Sequence, residues 1–256
     1  MSWNIGAGLE GKGVIVTGAG GGIGREVALA FAKAGCHVAA VDINEKGVGE
    51  LAALLEGGPH LALAADLRDI AGHDALIAKV EKQFGRLDVL ANTAAILIRR
   101  SNIDEVTEED WDLQHDINLK AGFFLNRAVA RALKAQGRGG RIINFTSQAW
   151  WSGGFGGSVV YAASKGGVVS MTRGFARSYA KDRITVNAVS PGAADTAMLR
   201  GGLKEDQLAQ QIAQIPIGYM APPSDLAGTV LFLASDHASY ITGATMRVDG
   251  GRTAVL

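Results

Sequence analysis

Short apolar runs alternate along this chain with longer stretches whose apolar residues recur at helical spacing. Residues 14–16 read as a strand and 23–33 as a helix. Residues 37–41 and 45–55 form a second such pair, and 60–64 and 70–84 a third. A strand over 87–91 precedes a long helix over 108–135, and one over 141–145 precedes a helix over 159–180. Residues 184–188 and 244–248 are the last two strands. These strands are short and nearly all apolar, as strands covered on both faces must be. The alternation predicts right-handed crossovers and a parallel sheet with helices on both faces, an α/β fold. No linker, internal repeat or low-complexity tract interrupts it, so residues 1–256 are expected to form a single domain. The largest irregularity is 195–217, with Gly201-Gly202 and a Gln-rich helical piece after it. That segment is expected to be a lid.

Composition sharpens this picture in one respect. Glycine is 35 of 256 residues, about 14%, roughly twice the ~7% average. It has no Gly-X-Y period, which excludes collagen. A hydrophobic share of 48% excludes a disordered chain. The 25 Lys and Arg balance 25 Asp and Glu, so neither nucleic acid nor an anionic membrane is an expected partner. The one cysteine, Cys36, cannot form an internal disulfide and reads as a core residue in a reducing compartment. Met1-Ser2-Trp3-Asn4 lacks the basic and apolar regions of a signal peptide, and no apolar run reaches the ~18 residues of a membrane span. A soluble cytoplasmic protein is expected. His37, His60, His73, His115 and His237 are scattered without ligand spacing, so no metal is expected.

The glycines concentrate first at Thr17-Gly18-Ala19-Gly20-Gly21-Gly22-Ile23-Gly24, between an apolar strand and an apolar helix. Glycine lets a pyrophosphate approach the backbone, and the following helix N-terminus favours its charge. The strand-loop-helix context separates this from a mere tight turn and points to a dinucleotide. Asp42 ends the second strand, 18 residues past Gly24, where a carboxylate can accept both ribose hydroxyls. The same charge repels a 2′-phosphate, and the next residue is Ile43 rather than Arg. NAD is therefore favoured over NADP. The bland alternative is that Asp42 caps a helix.

Tyr161-Ala162-Ala163-Ser164-Lys165 places a phenol and an ammonium one helical turn apart. The ammonium is expected to lower the phenol pKa and make Tyr161 a usable acid and base. A bare Tyr-x-x-x-Lys is common, and its neutral reading is a solvated helix face. Two further residues add weight. Ser147 closes the fifth strand, at the carboxyl edge where α/β sheets bind ligands. Asn118 lies within a helical stretch, where a buried Asn needs a hydrogen-bonding task.

Together these residues resemble the short-chain dehydrogenase/reductase family over nearly the whole chain. Thr17 to Gly24 is similar to the family's Thr-Gly-x-x-x-Gly-x-Gly, and Asp66-Leu67 to its adenine-contacting pair. Asn118, Ser147, Tyr161 and Lys165 match its catalytic tetrad. Asn187 through Pro191-Gly192 to Thr196 resembles the loop that holds the nicotinamide amide, and Val248-Asp249-Gly250-Gly251 the end of the last strand. One motif departs: Asn92-Thr93-Ala94-Ala95 stands where the family has Asn-Asn-Ala-Gly, which bears on local geometry and cofactor affinity. The resemblance implies a seven-stranded Rossmann-type sheet in the order 3-2-1-4-5-6-7. It implies that NAD contacts Gly18, Gly20, Gly22, Ile23, Gly24, Asp42, Ile43, Asp66, Leu67, Asn92, Ala94, Tyr161, Lys165, Pro191, Gly192 and Thr196. It implies that Tyr161 exchanges the substrate proton, that Lys165 lowers its pKa and binds the nicotinamide ribose, that Ser147 holds the substrate oxygen, and that Asn118 holds a water linking Lys165 to solvent. A homotetramer, or a homodimer, is also implied.

The substrate is less legible. Trp150, Trp151 and Phe155 lie among glycines between Ser147 and Tyr161, and read as an aromatic wall or as packing against other helices or a partner subunit. Arg99, beside Arg100, reads as a partner for a substrate carboxylate or as part of a solvated basic pair. The stretch around Arg99-Arg100, Glu109-Asp110-Trp111-Asp112 and Asp116 to Lys120 resembles the sugar-acid branch of the family. The expected function is NAD(H)-linked oxidation or reduction of a secondary alcohol or ketone, on a small polyol, sugar acid or hydroxy compound. The alternatives are a 3-oxoacyl-thioester reductase, against which Asp42 argues, and a non-catalytic NAD-binding sensor or scaffold.

Overall fold

In a computed structural model describing residues 6–201 and 203–254, the apolar runs become seven strands. These are β1 (Gly13–Thr17), β2 (His37–Asp42), β3 (Leu61–Ala64), β4 (Val89–Asn92), β5 (Gly140–Phe145), β6 (Ile184–Pro191) and β7 (Thr245–Val248). They form one parallel sheet in the order β3-β2-β1-β4-β5-β6-β7, the order expected. Met1-Ser2-Trp3-Asn4 and Gly202 lie outside the described residues.

Side chains alternate across this sheet, yet both faces are apolar. Val14 and Val16 of β1, Val38 and Ala40 of β2, and Val89 and Ala91 of β4 share one core. Helices α1 (Gly22–Lys33), α2 (Glu45–Ala52) and α10 (Pro223–Ala234) cover it with Val27, Phe31, Val48, Leu51, Val230 and Leu233. Ile15, Ala39, Val41 and Leu90 point the other way. There α3 (His73–Phe84), α5 (Gly122–Gln136) and α7 (Val159–Tyr179) supply Leu76, Val80, Leu125, Leu133, Val168 and Phe175. A sheet with two dry faces needs strands without a polar side, and the interiors of β1, β2 and β4 are apolar and buried on both sides.

Four features differ from the sequence expectation. The long helix over 108–135 is broken into α4 (Glu108–His115) and α5, with a π-helical turn at Asp116–Ala121 between them. The break falls at Asn118, whose carboxamide is occupied elsewhere, and π-turns accompany such local demands. The segment 195–217 contains two helices, α8 (Ala197–Arg200) and α9 (Glu205–Ala213), and a short α6 (Ala149–Ser152) holds both tryptophans. Helix α10 is not among the elements the hydrophobic pattern predicts, although Pro223 near its start and Asp225 in its first turn are start signals. Cys36 behaves as expected: it is buried, its thiol donates to the Leu9 carbonyl at 3.1 Å, and burial pushes its pKa up to about 12. No helix among the described residues is long and apolar enough to cross a membrane.

Buried polar groups inside the second core are linked into a chain, with the Asn126 Oδ1 left unpartnered among the described residues. Asn144 of β5 accepts from the Asn126 amide at 2.8 Å and donates to Thr172 Oγ1 at 3.1 Å, and Thr172 donates to Val168 O at 2.8 Å. This chain ties α5 and α7 to the central sheet. Asn144→Ala is expected to destabilise the protein by roughly 2–3 kcal/mol, because two buried partners each lose a bond. Denaturant unfolding measures it, and a loss indistinguishable from zero contradicts the role assigned to the chain.

Candidate active site

All seven strands end at one edge of the sheet, and the loops leaving that edge line a cleft of ≈ 670 Å³. At one end is the glycine loop after β1. Gly18 has φ +64°, in the left-handed region that favours glycine. A Cβ on Gly24 would lie 2.1 Å from the Gly18 carbonyl oxygen and 2.6 Å from Thr93 Oγ1, so only glycine lets helix and loop approach this closely. The start of α1 has no side-chain cap and no acidic residue in its first turn. By contrast, Asn44 caps α2 by accepting from Gly47 N–H at 3.1 Å. The first N–H groups of α1 therefore remain available to an anion. Asp42 receives the Gly20 N–H and the Asn44 N–H, each at 2.9 Å, and borders the same cleft. Asn44, not Asp42, caps the following helix.

The other end carries Ser147, Tyr161 and Lys165. Lys165 is 2% exposed, and its Nζ donates to Phe145 O at 2.9 Å. Burial pushes its pKa down to about 7. Lys165 Nζ lies 5.8 Å from the Tyr161 ring centre. Burial raises the Tyr161 pKa, opposed by a hydrogen bond with Ser147 and by the charge of Arg99. The expectation that Lys165 depresses the Tyr161 pKa is thus corrected. In this cleft desolvation outweighs the attraction, and it acts on both groups to favour their neutral forms. Asn118 bonds to neither. Its Oδ1 accepts from Ile96 N–H at 2.8 Å, and its Nδ2 donates to Ile96 O at 2.9 Å and to Ser164 Oγ at 3.2 Å. Its side-chain donors are thereby occupied, which is the hydrogen-bonding task a buried Asn needs. Ser164 in turn donates to the Tyr161 carbonyl at 2.7 Å, so Asn118 braces the helix that presents Tyr161.

This geometry can be compared with known proteins. A family profile described as "Enoyl-(Acyl carrier protein) reductase" matches residues 18–253. The 2-dehydro-3-deoxy-D-gluconate 5-dehydrogenase of Escherichia coli (strain K12) is 42% identical over 248 residues, which are 95% of this chain and 96% of that protein. The chain is a short-chain dehydrogenase/reductase. Two solved structures agree with this short-chain dehydrogenase/reductase in fold. The 3-ketoacyl-(acyl-carrier-protein) reductase of Brucella melitensis, complexed with NADH, matches with a TM-score of 0.89 at 34% identity, covering 96% of this chain and 99% of that one. A structure from Beutenbergia cavernae, named for an NAD(P)-dependent gluconate 5-dehydrogenase and holding NADP at low occupancy, matches with 0.87 at 37% identity, covering 98% and 100%.

The short-chain dehydrogenase/reductase cleft brings together many of the residues singled out in the sequence. Gly18, Gly20, Gly22, Ile23, Gly24, Asp42, Ser147, Phe155, Tyr161, Lys165, Pro191, Gly192 and Thr196 line it. Others lie outside the lining. Ile43 is 66% exposed, and Asp66 holds Arg68 at 2.6 Å. Leu67 O is bonded by the His73 ring at 2.8 Å. Asn92 sits beneath the loop and accepts the Thr17 hydroxyl at 2.8 Å, while Ala94 N–H donates to Thr17 Oγ1 at 3.2 Å. Thr93, in place of the family's Asn, donates to the Thr17 carbonyl, and Ala95 faces the cleft. Trp150 and Trp151 stack edge-to-face away from the lining, with Arg247 5.5 Å from the Trp151 ring. His115 stacks on Trp111 at 4.0 Å, as a structural residue does.

The two arginines of the basic pair are engaged internally. Arg100 forms a two-pronged pair with Asp110 at 2.7 Å. Arg99 donates to the carbonyls of Met198 at 3.1 Å, Leu199 at 3.2 Å and Gly201 at 2.5 Å, clasping the end of α8. Sequence reasoning overlooked Thr146, whose hydroxyl donates to Lys165 O at 2.8 Å, and Gln148 and Arg252, which line the cleft. Arg252 directly follows the Gly250-Gly251 pair, so its position was readable though its orientation was not.

Lys165 gives the site a pH signature. Its folded pKa of about 7 lies below the ordinary 10.5. Between these values the unfolded chain binds a proton that the folded chain does not, so stability rises with pH by up to about 1.4 kcal/mol per unit. Below pH 7 the cost of the buried ammonium is present in full. Denaturant unfolding between pH 7 and 9 is expected to show this slope in the wild type and to lose it in Lys165→Met. Parallel profiles contradict it.

Proposed function

We propose that the protein is an NAD-dependent dehydrogenase of secondary alcohols, acting on small polyols, sugar acids or hydroxy compounds in the cytoplasm. The observation that carries this reading is the joint placement of Ser147, Tyr161 and Lys165 on one wall of a cleft whose far end holds the uncapped α1 and Asp42. The glycine cradle that a Cβ would fill fits a dinucleotide pyrophosphate. The Asp42 carboxylate supports NAD, because a 2′-phosphate placed beside it would meet a like charge. A nicotinamide, when bound, supplies the hydride acceptor or donor.

The protein's own groups handle the proton. Ser147 orients the substrate hydroxyl through its Oγ. Tyr161 takes the hydroxyl proton during oxidation and returns it during reduction. The Ser147 hydrogen bond and the charge of Arg99 favour the phenolate against the burial that opposes it, and Lys165, with a pKa of about 7, is itself partly neutral near neutrality. The intact tetrad argues against a non-catalytic scaffold. Arg99 clasping α8 supports a lid function for 195–217. The exposed Phe123 on α5, packed edge-to-face with Phe175 of α7, supports assembly into a tetramer or dimer through these helices.

Tyr161→Phe is expected to lower NAD-linked turnover by at least about 100-fold while NADH binding is retained, measured by absorbance kinetics and fluorescence titration. Unchanged turnover sinks the reading. Asp42→Ser is expected to narrow the preference for NAD over NADP by at least about tenfold in kcat/KM, since one like-charge contact is removed. An unaltered ratio shows that the preference lies elsewhere.

A further inference from the structure

The wall of the cleft opposite α7 holds a charged group that neither the tetrad nor the nucleotide end uses. Arg252 follows β7 in the turn Asp249-Gly250-Gly251-Arg252-Thr253. Asp249 builds this turn. Its Oδ1 accepts from Gly251 N–H at 3.0 Å, its Oδ2 accepts from Thr253 N–H at 3.1 Å and from the Thr253 hydroxyl, and its carbonyl accepts the Arg252 N–H at 3.1 Å. The arginine is aimed by two further bonds. Its Nη2 donates to Gln211 Oε1 at 2.8 Å on α9 and to Gln214 Oε1 at 2.6 Å just beyond it. Its Nη1 is buried and has no hydrogen-bond partner among the described residues. A second such atom belongs to the same place: Gln148 Oε1 is also buried and unpartnered. Both residues line the cleft and the adjoining recess of ≈ 490 Å³ that they share with Ser152, Pro216 and Thr253.

Leaving such atoms unpaired is costly, about 1–3 kcal/mol each and more for a charged group. They make sense as ligand contacts. Asp42 stands among the glycines of the nucleotide end, and the other charged residues lining the cleft are the cations Arg99, Lys165 and Arg252. Arg99 is engaged by three carbonyls and Lys165 by the Phe145 carbonyl. Arg252 alone of the three has a donor nitrogen that is buried and unmatched. The orphan pair is one donor and one acceptor. A phosphate offers acceptors to both and would meet the Gln148 oxygen unfavourably. A neutral polyol offers the guanidinium no charge beyond that of Asp249 in its own turn. A carboxylate bearing a hydroxyl on the adjacent carbon matches both.

We propose that Arg252 and Gln148 form an acid subsite. Arg252 Nη1 takes the substrate carboxylate, Gln148 Oε1 accepts from the neighbouring hydroxyl, and the preferred substrates are aldonic acids rather than the corresponding alditols. This deepens the dehydrogenase reading above and rests on it. It also moves the carboxylate partner from Arg99, where the sequence suggested it, to a residue on the last turn of the chain.

The test is steady-state kinetics on matched pairs of four- to six-carbon aldonates and alditols, D-gluconate against D-glucitol among them. The wild type is expected to favour the acids in kcat/KM. Arg252→Gln is expected to reduce the acid-to-alditol ratio by at least about tenfold, mainly through KM for the acid, as loss of a charge-assisted contact does. Gln148→Glu, which sets a like charge beside the carboxylate, is expected to reduce it in the same direction and serves if Arg252→Gln fails to fold. A wild type that favours alditols throughout, or a ratio unaltered in both variants, overturns the subsite. Absence of turnover on every compound overturns the dehydrogenase reading instead. The subsite is then judged by aldonate-dependent thermal stabilisation of the wild type with NADH present, expected to vanish in Arg252→Gln. Stabilisation absent from the wild type, or equal in the variant, overturns it.

Discussion

A parallel sheet with both faces buried constrains everything else in this protein. Each strand must be followed by a crossover that returns to the opposite end, so all seven strands finish at one edge. The loops at that edge are released from covering the sheet. The glycine loop, Asp42, Ser147 and the Pro191-Gly192 turn follow four different strands and still meet in one cleft. The apolar strands Val14 to Val16 and Val38 to Val41 matter to function through this geometry, although none of them lines the cleft.

The same dryness sets the terms for polar groups. Several that the core admits are paired: Asn144 with Asn126 and Thr172, and Asp88 with Gly13 N–H at 2.9 Å and Arg86 at 2.6 Å. Asn118 follows that rule at the site itself, matching both backbone groups of Ile96 and breaking the regular helix there. Tyr161 and Lys165 illustrate the opposite case. They are held where water is scarce, and the cost appears as a raised phenol pKa and a depressed amine pKa. Proton exchange near neutrality depends on that balance, and a bound cationic or anionic group in the cleft would tip it.

Three arginines show how little residue type alone says about role. Arg99 and Arg100 are adjacent in sequence, yet one clasps the carbonyls at the end of α8 and the other neutralises buried Asp110. Arg252 is far from both in sequence and is the one with a donor left over beside Gln148. Guanidinium groups carry several donors in a fixed fork, so what distinguishes them is which donors the surrounding fold has already matched.

The strand-helix alternation, the glycine loop, Asp42 and the Tyr161–Lys165 spacing were all legible in the sequence, because each rests on local chemistry: period, turn conformation or a single helical step. The sheet order and the reaction family came from the resemblance that these residues carry together. The π-turn at Asn118 was not legible, since it depends on Ile96 arriving from the loop after β4. The retreat of Trp150 and Trp151 from the cleft and the direction of the Tyr161 pKa were hidden for the same reason. The sequence by itself determined which groups stand at the carboxyl edge of the sheet. Only the tertiary structure decided which of them are desolvated, which are already bonded and which face the cleft with a partner still to find, because burial and hydrogen-bond saturation are set by segments distant along the chain.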